Sequence, residues 1–308
     1  MTELLDSYTS TGSKFFYHEE AMRNLRGGKG QCITGHIMLT DICNHKCAFC
    51  SVQHRAGDSL KFTDMLQYVD TLRQYGLKSV ILSGGGNPIL YRDGRWTFGS
   101  VVDALHDRGL EIGLITNGMP LRTYADNGGN RNYSGCSSRT SWKSVSPRIL
   151  DRLTWVRISM AGLDHDEREV YVPDIDPKKT TLGFSYVAHD IFDTPEDKAH
   201  GKVSTKADLI QLGVSRALAE SRGVWRFEDR IEQLTNEFTD YCLKYRPRYL
   251  RLLPNCLEPH LIAQRCNQLQ DIAEDVNAEY GSEVAFVQHK PPKAPRACYL
   301  GYVHPVLN

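Results

Sequence analysis

The sequence lacks any apolar run approaching the roughly 18 residues that a bilayer span needs. Its opening, MTELLDSYTS, also lacks the basic end and apolar core of a secretory leader. Both absences point to a cytoplasmic protein without a membrane partner. Net charge is missing too. The chain carries 37 basic and 37 acidic residues, so no overall field draws in nucleic acid, an anionic membrane or an acidic substrate. No basic, aromatic-rich tract marks a polymeric nucleic-acid partner. Internal repeats and low-complexity tracts are absent, so no repeat architecture is expected. What remains, in 308 residues, is a chain long enough to bury a substantial core in one main domain.

Cysteine, by contrast, is plentiful. Nine thiols in a chain of this length, three of them clustered, suit a reducing compartment and metal chemistry better than a small disulfide scaffold. Cys32, Cys136, Cys242, Cys256 and Cys266 are scattered and read as buried or incidental thiols. Cys43, Cys47 and Cys50 fall within TDICNHKCAFC, directly after the apolar run HIML. Three thiolates on a short loop can hold three irons of a [4Fe-4S] cluster and leave the fourth iron open. Zinc is the competing metal, with His45 completing a tetrahedral site, and would make the protein a zinc-stabilised interaction module. Zinc motifs usually come as two separated ligand pairs, however, and His45 sits awkwardly between Cys43 and Cys47.

Short β-rich runs alternate with amphipathic helical stretches along the chain. The runs are Gly35 to Thr40, Ser79 to Gly84, Glu111 to Thr116, Trp155 to Met160, Leu182 to Val187 and Tyr249 to Pro254. Between the first two, Thr63 is the expected N-cap of a helix with Met65, Val69 and Leu72 on one face and Gly76 as its stop. The stretches GSVVDALHDRG, EDRIEQLTNEFTDYCLKY and PHLIAQRCNQLQDIAEDVNAEYG read as further helices. Near-continuous apolar strands joined by helices imply an α/β fold, a partial (β/α)6 TIM-like barrel with parallel strands. Pro120 to Ser146 and His189 to Ser204 break the rhythm as long loops after strand C-termini, readable either as lids and substrate walls or as solvated insertions.

CNHKCAFC resembles the CxxxCxxC signature of radical S-adenosylmethionine enzymes, including the aromatic Phe49 before the last cysteine. The resemblance implies that Cys43, Cys47 and Cys50 hold a [4Fe-4S] cluster whose open iron chelates S-adenosylmethionine. Reductive cleavage of that cofactor to a 5′-deoxyadenosyl radical would then abstract a substrate hydrogen, with a flavodoxin or ferredoxin as electron donor. LSGGGNP, at the end of the second run, resembles the family's GGEP turn. Gly84, Gly85, Gly86 and Asn87 would then receive the cofactor amino group, with Asn87 standing where the family often has Glu. An amide oxygen there can still accept from the ammonium. By that reading Asn87→Glu tightens cofactor binding.

The resemblance extends to further positions. Ser159 matches a polar position that contacts the cofactor. Arg168 matches an arginine that pairs with the cofactor carboxylate, its alternative being a surface ion pair within DHDERE. Asn117 and Ser185 would meet the ribose, and Leu253 would flank the adenine. Residues 1–34 read as an amphipathic lead-in and 35–290 as the barrel. Residues 291–308 read as the opening of an auxiliary-cluster domain, with Cys298 either a ligand of an auxiliary Fe-S cluster or a packed thiol. With such a domain, the resemblance implies a peptide, protein or carbohydrate substrate. Without it, nucleotides or nucleobases are the alternative. No catalytic side chain beyond the cofactor ligands is assigned.

Overall fold

The computed structural model describes residues 18–45, 47, 49–50, 52, 56–118, 145–164, 170–192, 224–289 and 306–307. Eight strands form one sheet: β1 (Thr34–Ile37), β2 (Ser79–Leu82), β3 (Glu111–Thr116), β4 (Trp155–Ser159), β5 (Thr181–Ala188), β6 (Tyr249–Pro254), β7 (Ala285–Val287) and β8 (Val306–Leu307). Every ladder is parallel, in the order β7-β6-β5-β4-β3-β2-β1-β8. The six expected strands therefore stand side by side in chain order, as a partial (β/α)6 barrel requires, and two short strands extend its edges. Val306–Leu307, within the segment 291–308, pair with His36–Ile37 at the outer edge of β1. Backbone groups along that edge need partners, and β8 supplies them.

Helices cover one face of the sheet. α1 (Glu19–Arg26) precedes β1, α2 (Phe62–Gln74) joins β1 to β2, and α3 (Phe98–His106) joins β2 to β3. The short α4 (Pro147–Leu150) leads into β4, α5 (Ile231–Tyr245) into β6, and α6 (Ile262–Tyr280) into β7. Val156, Ile158, Phe184, Tyr186, Leu250 and Leu252 share a core with Val69, Val102, Phe238 and Leu269 of the helices. Each such fully buried aliphatic or aromatic side chain contributes about 1.5–3 kcal/mol.

The start of α2 differs from the sequence reading. Its first N–H, on Phe62, donates to Asp93 Oδ2 at 2.8 Å, while the Thr63 hydroxyl turns to Asp64. A carboxylate carried by the later hairpin Arg92–Asp93/Trp96–Thr97 thus replaces a local cap. The stop is as read, with Gly76 at φ +91 following Tyr75. After β5, Ile191–Phe192 pair antiparallel with Val224–Trp225, so a two-strand ladder stands where an irregular loop was expected. The rest of both long insertions, 120–144 and 193–204, lies outside the described residues.

Candidate active site at the C-terminal rim of the sheet

The cysteine loop leaves β1 and is closed at its base by its own backbone. Leu60 N–H donates to the Leu39 carbonyl at 2.9 Å and Asp41 N–H to that of Asp58 at 3.0 Å. The Thr40 hydroxyl donates to the Asp58 carbonyl at 2.9 Å and accepts from Ile42 N–H at 3.1 Å. On this closed loop Cys43, Cys47 and Cys50 are half-buried and none is in a disulfide. Cys50 N–H donates to the Cys47 carbonyl at 3.0 Å, a turn that fixes the spacing of the last two thiols. Among the described residues no three His, Cys, Asp or Glu side chains gather as one metal ion would require. A four-iron cluster needs less convergence, because each thiolate meets its own iron.

The glycine turn of residues 84–86 is fastened to that loop. Gly86 N–H donates to the Thr40 carbonyl at 2.6 Å and Asn87 N–H to that of Ile42 at 2.8 Å. A Cβ on Gly86 would lie 1.9 Å from the Ile42 carbonyl oxygen, and one on Gly85 would lie 2.7 Å from that of Thr40. Gly84 and Gly85 also hold positive φ, at +91° and +63°. Close backbone approach was expected toward a ligand; here it is toward the cysteine loop, which the turn locks in place.

Asn87 is held within the protein. It is only 3% exposed, and its amide is committed to the protein. Oδ1 accepts from the Thr116 hydroxyl at 3.0 Å and from Ile89 N–H at 3.4 Å. Nδ2 donates to Asn117 Oδ1 at 2.6 Å and Asn44 Oδ1 at 3.2 Å. The Ile89 N–H can only donate, which fixes the amide's orientation and uses all four of its hydrogen bonds. In this structure the Asn87 amide serves the protein rather than a free surface. Asn117 Nδ2 also donates to Asn44 Oδ1, at 3.1 Å. Three asparagines thereby tie the cysteine loop, the glycine turn and the end of β3 together, so Asn117 is part of this tie as well as a rim residue.

Alternation along β4 to β6 sends Trp155, Arg157, Ser159, Gly183, Ser185, Tyr249, Arg251 and Leu253 to the face opposite the helix-packed core, the inside of the barrel. Register aligns Arg157 with Gly183 and Tyr249, and the next row aligns Ser159, Ser185 and Arg251. The structure thus brings Ser159 and Ser185 side by side, with Leu253 one row nearer the rim on β6. Arg168 and Cys298 lie outside the described residues. Arg157 and Arg251 were missed from sequence. Their signal was a charged residue within an otherwise apolar strand, WVRIS and YLRLLP.

Phe49 rests edge-on against His189, with ring centroids 4.8 Å apart. His189 follows β5, is 2% exposed, and places Nε2 3.7 Å from Asp164 Oδ2. Asp164 Oδ1 in turn accepts from Arg230 at 2.7 Å and from the Tyr186 hydroxyl at 2.9 Å. Burial, and then the Asp164 charge, hold the Tyr186 phenol well above its usual range, so it remains a donor. This buried group supports the aromatic of the cysteine loop from beneath. It too escaped the sequence reading, because its members come from three separate stretches of the chain.

Comparison with known proteins places these features. The family model for the Radical SAM superfamily matches residues 37–133, the segment that carries the cysteine loop and the glycine turn. A probable GTP 3′,8-cyclase of Saccharolobus islandicus (strain Y.N.15.51) is 33% identical over 247 residues, covering 76% of this chain and 75% of that protein. An S-adenosylmethionine-dependent nucleotide dehydratase of Selenomonas ruminantium is 30% identical over 83 residues, 27% of this chain and 29% of the relative. Among solved structures, Streptococcus suis SuiB bound to precursor peptide SuiA aligns with a TM-score of 0.50 at 12% identity, covering 96% of this chain and 58% of SuiB. That last likeness is one of fold. The chain spans under a third of the dehydratase and little more than half of SuiB.

Proposed function

Because the chain belongs to the radical SAM superfamily, with 33% identity running over three quarters of both it and a curated relative, we propose that it binds a [4Fe-4S] cluster through Cys43, Cys47 and Cys50 and cleaves S-adenosylmethionine to abstract a substrate hydrogen. The observation that carries this reading is the pair of backbone hydrogen bonds that fasten the glycine turn to the cysteine loop at the ends of neighbouring parallel strands. Three soft thiols on a closed, half-buried loop suit the cluster as a donor set. When bound, the cluster and S-adenosylmethionine supply one-electron, hydrogen-abstracting chemistry, which needs an external reductant such as a flavodoxin or ferredoxin.

The chain's own residues bind, orient and exclude water. The loop presents the thiols. Gly84 and Gly85, having no side chains, leave their peptide groups open to the cofactor's amino group. Asn87, Asn44 and Asn117 keep loop, turn and β3 in register, which makes Asn87 a positioning residue. Ser159, Ser185 and Leu253 form the wall that the ribose and adenine would meet, and Arg168 is the partner proposed for the carboxylate. Phe49, backed by His189, shields the loop from below.

For the substrate, nucleotides carry more support than peptides. The relatives aligned with this barrel are named for nucleotide chemistry, one of them over most of the chain, whereas the likeness to peptide-bound SuiB is one of fold.

Anaerobic reconstitution tests the ligand assignment. Wild-type protein and a His45→Gln variant should each bind about four irons at this site, while Cys47→Ala should lose the cluster. Equal loss in His45→Gln would overturn the assignment.

A further inference from the structure

Two arginines on the inner face of the barrel, Arg157 and Arg251, have no ion-pairing acid among the described residues. Arg157, on β4, is 9% exposed, and its Nε has no hydrogen-bond partner among the described residues. Its partners are neutral: the Tyr249 hydroxyl, and the Trp155 ring, whose centroid lies 5.8 Å from the guanidinium carbon. Arg251, on β6, likewise has an unpartnered buried Nε. The charges acting on it are Arg157 and Tyr249, with no described carboxylate among them. Burial first, and then the Arg157 charge, bring the Arg251 guanidinium down to about 10. Elsewhere in this protein buried arginines have acids: Arg230 has Asp164, and Arg265 has Asp190 and Glu228. Two like charges inside one barrel, each with a donor to spare, are destabilising until an anion joins them.

The surrounding side chains bound the space beside these arginines. The Trp155 ring lies across Gly113, where a Cβ would fall 2.1 Å from it, and the Tyr249 ring lies across Gly183, where a Cβ would fall 2.3 Å from it. Trp155 stands one row below Arg157 on β4, and Tyr249 stands in Arg157's row, one below Arg251 on β6, so both rings lie on the N-terminal side of Arg251. Arg251 shares its row with Ser185 and Ser159, the residues proposed to meet the cofactor. Adjacent strands are spaced about 5 Å apart. An anion on Arg251 is therefore within one substrate length of the cofactor.

We propose that Arg157 and Arg251 form the receptor for the phosphate chain of a nucleotide substrate, holding it inside the barrel with its sugar toward the cysteine loop. Guanidinium forks match phosphoryl oxygens, and a polyphosphate has enough of them to meet both. This inference rests on the nucleotide reading above and adds the residues that would enforce it.

Calorimetry on the reconstituted protein with S-adenosylmethionine tests it, using GTP and CTP, the nucleosides guanosine and cytidine, and inorganic tripolyphosphate. The triphosphates should bind, the nucleosides should bind at least tenfold more weakly, and tripolyphosphate should compete. Arg251→Gln and Arg157→Gln should each weaken triphosphate binding at least tenfold, and Arg251→Lys should recover part of the loss. Iron content and circular dichroism establish that each variant is folded, and tripolyphosphate should raise the melting temperature of wild type more than that of Arg251→Gln. Equal triphosphate affinity in wild type and both Gln variants would overturn the arginine assignment and leave the nucleotide reading standing. Binding of an acidic peptide with no binding of any triphosphate would overturn both.

Discussion

Replacing Asn87 by Glu separates the role read from sequence from the role read from structure. By family resemblance, a carboxylate at this turn receives the cofactor ammonium, so Asn87→Glu should tighten binding. The structure predicts the reverse. Glu keeps acceptors for the Thr116 hydroxyl and Ile89 N–H but loses the two donors that serve Asn117 and Asn44. Each lost hydrogen bond is worth about 0.5–1.5 kcal/mol. One added methylene at a position 3% exposed adds about 1–3 kcal/mol of overpacking. Turning the Asn44 and Asn117 amides over would restore some donors, so we expect a net destabilisation of about 3 kcal/mol. Anaerobic urea unfolding measures it, and calorimetry with S-adenosylmethionine should show weaker binding as the loop and turn lose register. Asn87→Ala, which removes the network without adding bulk or charge, should fall between Glu and wild type. A Glu variant within about 0.5 kcal/mol of wild type, or one that binds the cofactor more tightly, would refute the positioning role.

Other substitutions probe the same architecture. Gly86→Ala puts a methyl group 1.9 Å from a backbone oxygen that has no side-chain freedom. It should part the turn from the cysteine loop, destabilise by about 3 kcal/mol and lower the iron bound per chain on reconstitution. Arg265→Met leaves Asp190 buried without its 2.7 Å partner and should cost about 3–5 kcal/mol in urea unfolding. The Asp70 carboxyl is lowered from 3.8, first by its hydrogen bond from Arg108. Its stabilising effect is therefore complete above that value and lost as pH falls through the lower folded value. Because Asp70 is 44% exposed, Asp70→Asn should destabilise by only about 0.5 kcal/mol at neutral pH, and the difference should vanish in acid.

What could be read from sequence was local. The six barrel strands were visible as apolar runs, since strands covered on both faces show little alternation, and β3 and β6 match their expected bounds. β7 and β8 are three and two residues long, too short to carry a period. The cysteine loop and the glycine turn were legible because each is a contiguous motif. Their fastening was not, because Asn44, Asn87 and Asn117 are separated by 43 and 30 positions and meet only once the strands lie side by side. Position in a motif says nothing about which neighbours an amide already serves, so the hydrogen bonds of Asn87 within the protein were not legible. The interior arginines did leave a trace, a charge in mid-strand, but its meaning depends on the rings that lie across Gly113 and Gly183.

The central claim is that the cysteine loop supports reductive cleavage of S-adenosylmethionine. It is tested most directly by reducing the anaerobically reconstituted protein with dithionite in the presence of S-adenosylmethionine and measuring 5′-deoxyadenosine by chromatography. The account predicts 5′-deoxyadenosine and methionine in equal amounts from wild type and none from Cys43→Ala, Cys47→Ala or Cys50→Ala. A colourless wild-type protein carrying one tightly held zinc and forming no 5′-deoxyadenosine would contradict it.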